Sequence, residues 1–559
     1  MGRIILNTEK HIHIHFDLKD NDKVSFLYAK NFELLVRTFL RKLRDTNNII
    51  LNDLKGLTID NFVEFYQMLE KYELKTVLKR VNKINALHIP SLLAFTESFF
   101  SYWRSLERYG FINEDISDDK VIDINIKFNS EINSIYQNFI RKLKDGNSNV
   151  YSAPNPGLNA LMVTSSYAFK NKDYNLVNNI SFVTKVIINT PFFVTTKSSL
   201  RRGSFKPLTF SYNPLKDLKI NKNNFYGVAL KVGTLLAFIY VHRDYVVHLV
   251  ALTSIYEVID INKINNQKPD LFFIYGVDDD MFDSKYYHDT LNDTFLGFMS
   301  ANEENDYFGY FKDMIMTLHN LYMVVRDFLP IPGTLIEINI KPNITKKVMF
   351  VGDTQSGKYE VIEALNLITN EEISDIKVIS DSFSVLRLNN DETVINGTEI
   401  GGFLEKDALK AGYGYSDIDR AIIMNPTGQS PKYVLPLNSY NYISDNHHVD
   451  LILYMNNYEN KDGLKIFLKP EDATYVFKKG TKKVINQNGE EKEVNLYFAN
   501  PLTIPQYKVK IDALINKLFK ELDNNGVFLG EMYTKLFVPN ENLRGINLAA
   551  LALLKFLEQ

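Results

Sequence analysis

The residues best suited to chemistry in this sequence lie between Lys346 and Asp381. Two glycines separated by four residues are followed there by a lysine, and the full loop reads Gly352, Asp353, Thr354, Gln355, Ser356, Gly357 and Lys358. Glycine permits a turn in which successive N–H groups surround phosphate oxygens, and the lysine adds a positive charge. The spacing therefore predicts that this loop, together with Tyr359 directly after it, binds the phosphates of a nucleotide.

The segments on either side of this loop must position it. Residues 348–351 are four consecutive apolar residues, typical of a strand buried on both faces. Apolar residues recur at helical spacing directly after the loop, and a second apolar run ends at Asp381. A carboxylate there is suited to be a metal ligand or a catalytic base. The alternative interpretation is a glycine-bearing turn in an ordinary α/β domain.

Tyr359 departs from the pattern that this kind of loop usually follows. A serine or threonine normally stands after the lysine, because its hydroxyl binds Mg²⁺. A phenol is longer and would clash with or overshoot a metal at that point. The sequence therefore predicts phosphate binding, and it puts the binding of Mg²⁺ or Mn²⁺ in doubt.

Composition narrows the class of protein. The chain has 559 residues, enough for two to four domains, and its net charge of −3 gives no reason to expect nucleic-acid binding. The absence of cysteine excludes disulfides and thiolate chemistry. No secretory pattern opens the chain, and no apolar run is long enough to cross a bilayer. These observations predict a cytoplasmic protein without a membrane span.

The pattern divides the chain into three regions and predicts an α/β fold. Residues 1–150 read as mostly helical, residues 158–305 as a mixed α+β domain, and residues 306–559 as the nucleotide-binding domain. The linker between the first two regions is predicted around residues 152–157, which are rich in proline and glycine.

Several local predictions follow for the N-terminal region. Residues 11–16 alternate as a strand with three histidines on one face, which indicates a half-exposed strand or, as the less favoured alternative, a metal site. Thr58 is a predicted N-cap, Pro90 begins a further helix and Gly110 ends it. Residues 123–128 alternate like a strand.

The approach to the loop is also predicted. Residues 307–329 form an apolar helix that Pro330 stops. Residues 335–340 then alternate, and a turn at residues 341–343 leads into the strand at Val348, so that a hairpin precedes the loop. In the middle region, Arg201 and Arg202 lie in a loop and could hold an anionic substrate, although solvated surface arginines are the more common case.

A family resemblance rests on these residues. The hairpin, the Gly-Asp-x-x-x-Gly-Lys-x-Glu loop and the strand ending in Asp381 resemble the phosphoenolpyruvate carboxykinase and HPr kinase fold class. Residues 396–403, 418–426 and 449–459 are similar to carboxykinase-like proteins of the ATP type. The resemblance covers about residues 307–536.

The resemblance implies roles for individual residues. It implies that the loop and Lys358 bind ATP, that Asp381 holds Mg²⁺ or Mn²⁺ or acts as base, and that Glu360 matches a glutamate that follows the loop. The acceptor would be oxaloacetate, a small hydroxyl compound or a protein serine, and an oligomer is compatible with the sequence.

Three departures favour the alternative of a pseudoenzyme with a structural, scaffold or regulatory role. Tyr359 replaces the hydroxyl, Ser382 stands where a second aspartate is expected, and Pro332 stands where a histidine is expected.

The retained Lys358, Glu360 and Asp381 favour an active phosphotransferase instead, which stays the leading prediction on the resemblance. Asp375, Asp391 or Glu399 could then supply a displaced metal ligand.

Overall fold

The structure is a computed structural model that describes residues 2–7, 11–18, 25–29, 31–81, 83–144, 157–196, 205–264, 267–352, 355–368, 371–405, 415–424, 431–485, 491–495 and 504–559. Its contacts divide the chain into two compact units. Unit 1 comprises Met1–Tyr167 and Ser181–Asn189, and unit 2 comprises Ala168–Ile180 and Thr190–Gln559. Both units mix helices with strands, as the α/β prediction requires. The division into three regions stays a prediction.

Unit 1 combines a five-stranded sheet with helices. Its strands are β1 (Gly2–Asn7), β2 (His11–Asp17), β3 (Glu107–Ile112), β4 (Ala160–Ser166) and β5 (Ser181–Ile188), and they are hydrogen-bonded in that order. Its helices are α1 (Phe32–Asp45), α2 (Ile59–Lys71), α3 (Leu74–Arg80), α4 (Ile89–Ser105) and α5 (Asp118–Leu143). Large aromatic side chains from the helices fill its core.

Three features of unit 1 follow the sequence closely. The N-cap at Thr58 is confirmed, because its hydroxyl accepts from the N–H of Asn61 in a capping box. Pro90 lies in the first turn of α4, and β2 is a strand.

Three other predictions for unit 1 are wrong. Residues 123–128 lie inside α5, because the apolar side chains of that helix recur at helical spacing over 26 residues and override a short alternation. Helix α4 ends at Ser105, and Gly110 lies within β3. On the histidine face of β2, His11 and His13 are buried and His15 is partly buried, because rings of β3, among them Phe111, lie against the imidazoles.

Unit 2 contains the remaining strands. They are β6 (Phe192–Val194), β7 (Lys206–Pro207), β8 (Phe225–Val232), β9 (Leu235–His242), β10 (Glu257–Ile259), β11 (Leu271–Val277), β12 (Lys285–Asp289), β13 (Thr294–Ser300), β14 (Leu329–Ile340), β15 (Ile344–Val351), β16 (Ile373–Ser380), β17 (Phe383–Asn389), β18 (Glu392–Gly397), β19 (Gly401–Glu405), β20 (Ile422–Met424), β21 (Lys432–Pro436), β22 (Leu451–Asn456), β23 (Leu464–Ile466), β24 (Thr481–Ile485), β25 (Glu491–Asn495) and β26 (Phe528–Tyr533).

The helices of unit 2 cover these strands. They are α6 (Val246–Leu252), α7 (Phe308–Val325), α8 (Lys358–Ile368), α9 (Tyr440–Ser444), α10 (Pro470–Lys479), α11 (Lys508–Asn524) and α12 (Asn542–Leu557). No helix in the described part of the chain is long and apolar enough to cross a membrane.

The strands of unit 2 form three sheets and a hairpin. One sheet has the order β8-β9-β11-β13-β12-β7, with β10 also paired to β8. The second has the order β18-β17-β14-β15-β22-β26-β23, with β16 also paired to β14, and the third has the order β19-β21-β20-β6. Strands β24 and β25 pair with each other. The second sheet carries the predicted loop, between β15 and α8.

Strand β14 is the centre of this second sheet. It pairs with β15 along one side, which confirms the predicted hairpin, and with β16 and then β17 along the other side. The prediction that Pro330 ends the preceding helix is wrong. Helix α7 ends at Val325, Asp327 takes the left-handed conformation with φ +64°, and Pro330 lies inside β14 opposite Val385.

Candidate functional site

The predicted loop begins where three parallel strands end together. Strand β15 is parallel to β22, which is parallel to β26, so their carboxyl ends lie at one edge of the sheet. Such an edge is where open α/β sheets commonly bind ligands. The loop leaves β15 at Gly352 and enters α8 at Lys358, and Asp353 and Thr354 fall outside the described residues.

Lys358 is buried at the first position of α8. Its side chain is 5% exposed as a residue, and its Nζ donates a hydrogen bond to the carbonyl oxygen of Gly352 at 2.8 Å. The ammonium therefore lies across the loop whose backbone would surround a phosphate. The N-terminus of α8 adds a partial positive charge at the same place.

Asn457 holds the loop from the end of β22. Its Nδ2 donates to the carbonyl oxygens of Gln355 at 2.7 Å and Lys483 at 2.8 Å, and its Oδ1 accepts from the N–H of Lys483 at 2.9 Å. The side chain is fully buried. One amide thus joins the loop to the β24–β25 hairpin. Asn457 lies in one of the segments that carry the resemblance, but no role was predicted for it; its place directly after an apolar strand was a further available signal.

Thr534 holds the loop from the end of β26. Its hydroxyl lies 3.2 Å from the carbonyl oxygen of Ser356 and 3.3 Å from that of Asn456. Gly357 has φ +94°, and a Cβ placed on it would lie 2.8 Å from the Thr534 side chain. Only glycine therefore suits this position, for reasons of both conformation and space.

Asp381 lies at an irregularity between β16 and β17. Its Oδ1 accepts from the hydroxyl of Thr334 at 3.0 Å, and its Oδ2 accepts from the N–H of Phe403 at 3.1 Å. Ser382, with φ +66°, turns the chain, and its carbonyl oxygen accepts from the N–H of Gly333 at 2.9 Å. The turn directs a buried carboxylate to a fixed place, as irregular strand segments near functional sites often do.

Strand β14 separates Asp381 from the loop. Gly352 donates its N–H to the carbonyl oxygen of Pro332 at 3.2 Å, and the next residues of β14 face Ser382 and Asp381 on the other side. Two strand spacings put the backbone at Asp381 roughly 10 Å from the backbone at Gly352. Asp381 and the start of the loop therefore lie at the same height along β14, on opposite sides of it. Pro332 contributes its carbonyl oxygen to this arrangement.

Glu399 and Lys312 form a charged pair beside Asp381. Glu399 is fully buried, and its Oε1 lies 2.8 Å from Lys312 Nζ and 3.4 Å from the Tyr256 hydroxyl. Burial raises the pKa of Glu399 above its usual range, Lys312 opposes this rise, and the charge of Asp381 adds to it. The ammonium of Lys312 and the charge of Asp381 therefore act on the Glu399 carboxyl in opposite directions.

The sequence pattern indicated only part of this charged group. Glu399 was predicted only as one of three possible displaced metal ligands, and no role was predicted for Lys312. Lys312 lies on α7, a helix that is otherwise almost wholly buried and apolar, and its ammonium also lies 4.6 Å from the ring centre of Phe403. A single lysine near the start of an apolar helix was the available signal.

Tyr359 packs as an apolar residue. It is partly buried against a cluster formed by Ala421, Ile423 and Leu435, from the third sheet and the residue before it. This contact gives the tyrosine a structural reason to replace the expected serine or threonine. A small hydroxyl at this position could not fill the same space.

Three further residues were predicted at the site, namely Glu360, Arg201 and Arg202. Glu360 is exposed on α8, so its proposed role stays a prediction. Arg201 and Arg202 lie outside the described residues, so their role in holding an anionic substrate stays a prediction.

The side chains at the site do not fit a divalent ion held by the protein. No group of three histidine, aspartate or glutamate residues within the described ranges is arranged to hold a metal. The hydroxyl expected after the loop lysine is replaced by Tyr359, and the Lys312 ammonium already contacts Glu399.

Comparison with known proteins identifies no family for this chain. No protein-family model matches the chain, and no curated protein matches it. The resemblance to carboxykinases and HPr kinases therefore stays a prediction.

Proposed function

We propose that the protein binds ATP through the loop formed by residues 352–358, in a carboxykinase-like nucleotide domain. The observation that carries this proposal is the position of Lys358. Its ammonium is buried at the first turn of a helix and lies across a loop that leaves a central parallel strand. Backbone N–H groups, the helix terminus and one lysine are the usual means of binding a polyphosphate.

Binding would exchange one hydrogen bond for a stronger one. Lys358 Nζ now donates to a neutral carbonyl oxygen, that of Gly352. A phosphate oxygen in the loop would offer it a charged acceptor instead, and charge-assisted hydrogen bonds are shorter and stronger than neutral ones. Asn457 and Thr534 hold Gln355 and Ser356 from two neighbouring strands, so these two residues of the loop need not be ordered on binding.

A phosphotransferase follows from this site if an acceptor reaches Asp381. The acceptor oxygen would form a bond to the γ-phosphorus, the bond to the β-phosphate oxygen would break, and a proton from an acceptor hydroxyl would pass to Asp381. Thr334 and Phe403 orient that carboxylate through its two oxygens. Lys312 would offset part of the negative charge that gathers there.

A nucleotide-binding pseudoenzyme is the second candidate. Two observations favour it: the packing of Tyr359 against an apolar cluster, and the hydrogen bonds that already occupy both oxygens of Asp381. A protein of this kind would keep the nucleotide as a structural or regulatory ligand. A small anionic substrate or a protein partner would then bind without receiving a phosphoryl group.

Calorimetric titration with ATP, followed by a turnover assay, tests both candidates. We expect saturable ATP binding by the parent protein, and its absence would refute the proposal. Turnover is then measured with a panel of small hydroxyl compounds, oxaloacetate and seryl peptides. Turnover that Asp381→Asn abolishes, with ATP affinity unchanged, assigns the phosphotransferase. ATP binding without turnover, with any acceptor and with or without Mg²⁺ or Mn²⁺, assigns the pseudoenzyme.

A further inference from the structure

The carboxylates of Asp381 and Glu399 pose a charge problem. Both are almost completely buried, at 2% and 0% exposure, and they are close enough for the charge of Asp381 to raise the pKa of Glu399. Buried carboxylates of this kind need a positive charge nearby. In nucleotide-dependent enzymes that charge is often a divalent ion.

Lys312 supplies the positive charge in this protein. Its Nζ lies 2.8 Å from Glu399 Oε1, and its side chain is only 12% exposed. The same ammonium lies 4.6 Å from the ring centre of Phe403, whose backbone N–H donates to Asp381 Oδ2. The lysine thus contacts one carboxylate directly and is placed beside the residue that orients the other.

We propose that Lys312 is a built-in counter-ion that takes the place of a divalent ion at the Asp381–Glu399 pair. A fixed ammonium on an oxygen of Glu399 repels a divalent ion from that oxygen, and burial makes the repulsion stronger than in water. The packing of Tyr359 removes the hydroxyl that would otherwise help to hold the ion. If the proposed ATP binding holds, a divalent ion that accompanies the nucleotide would be held by the phosphates and not by this pair of carboxylates.

A Mn²⁺ titration without nucleotide, monitored by electron paramagnetic resonance, tests directly whether Lys312 acts as the counter-ion. We expect no saturable Mn²⁺ binding at this pair in the parent protein. Lys312→Met keeps an unbranched side chain, one atom shorter, and removes its charge. This variant should show saturable Mn²⁺ binding at least about tenfold tighter than any binding by the parent, because the two carboxylates lose their counter-ion.

Two control variants make the result specific. Lys312→Arg keeps the positive charge and should gain no Mn²⁺ affinity. Lys377 also lies between two carboxylates, 3.6 Å from Glu337 and 3.8 Å from Asp375, but its side chain is 46% exposed. Lys377→Met should gain no affinity either, because Asp375 is 52% exposed to water and Glu337 keeps a second cation, Lys347, at 3.8 Å.

Two outcomes would overturn the counter-ion. One is a folded Lys312→Met variant that binds Mn²⁺ no better than the parent. The other needs no Lys312 variant: saturable Mn²⁺ binding by the parent that is lost in Asp381→Asn. Because these titrations contain no ATP, they are independent of the proposed nucleotide site. Failure of the parent to bind ATP refutes the proposed function and leaves the counter-ion result standing.

Discussion

The two units bury positive charges with different partners. In unit 1, Arg108 is 4% exposed and donates to the carbonyl oxygens of Gly157 at 2.6 Å and Trp103 at 2.9 Å, and also to that of Leu106. Lys142 likewise donates to backbone carbonyl oxygens of a neighbouring helix end. These cations close the ends of helices and loops. Their partners are backbone carbonyl oxygens, so a ligand could not take the place of these oxygens without disrupting the fold.

In unit 2, two lysines at the candidate site instead lie where partners can change. Lys358 spans a loop suited to phosphate, and Lys312 contacts a carboxylate whose pKa is raised. The comparison teaches that burial alone does not mark a functional charge. The kind of partner does, because a cation fixed by several carbonyl groups serves stability, whereas one that faces a loop or a carboxylate can serve binding.

The largest expected effect breaks the closed arrangement in unit 1. Burial lowers the pKa of Arg108 to about 10, so it stays charged at neutral pH. Arg108→Met leaves several buried carbonyl groups without their donor, and the free energy of unfolding should fall by about 3 kcal/mol or more, as measured by urea denaturation. The exposed Arg104→Met is the control and should change it by less than about 0.5 kcal/mol. Equal effects of the two variants would contradict the structural role.

The next effect concerns pH and His319, on α7 in unit 2. Burial lowers the pKa of His319 from 6.5 to about 4, against a hydrogen bond with Asn320. The folded protein therefore holds a neutral imidazole while the unfolded chain takes up a proton. The stability that this group contributes is present above pH 6.5 and is lost as the pH falls towards 4, by about 2–3 kcal/mol at pH 4.5.

A pair of variants isolates this contribution. Urea denaturation at pH 7.5 and pH 4.5 should show a smaller loss of stability in His319→Gln than in the parent. His448→Gln, at an exposed site, should keep the slope of the parent. The interpretation fails if the two variants show the same slope.

The smallest expected effect in free energy concerns Lys358 and sharpens the comparison most. Lys358→Ala should weaken ATP binding more than tenfold, because it removes a charge-assisted contact of roughly 1.5–3 kcal/mol. Its free energy of unfolding should change less than that of Arg108→Met, which in turn should keep the ATP affinity of the parent. Lys555→Ala, at an exposed position on α12, is the control for binding. Unchanged ATP affinity in Lys358→Ala would contradict the claim that this buried lysine serves binding.

Local order was predictable from the sequence wherever a pattern lasted long enough. The hairpin before the loop, the strand at Val348 and the helix after Lys358 all follow from apolar spacing and turn residues. Prediction failed at residues 123–128 and at Pro330. There a short pattern was outweighed by the longer helix α5 and by the pairing of β14 with β17.

The sequence by itself determined the loop, its lysine and the carboxylate that follows the next strand. Only the tertiary structure decided what surrounds them. Lys312, Asp381 and Glu399 come from a helix, a strand irregularity and a turn far apart in the chain, and Asn457 and Thr534 reach the loop from more distant strands still. Apolar periodicity reports which face of an element is buried, but it does not report which buried polar groups meet. That depends on how the sheets are assembled, which no local pattern encodes.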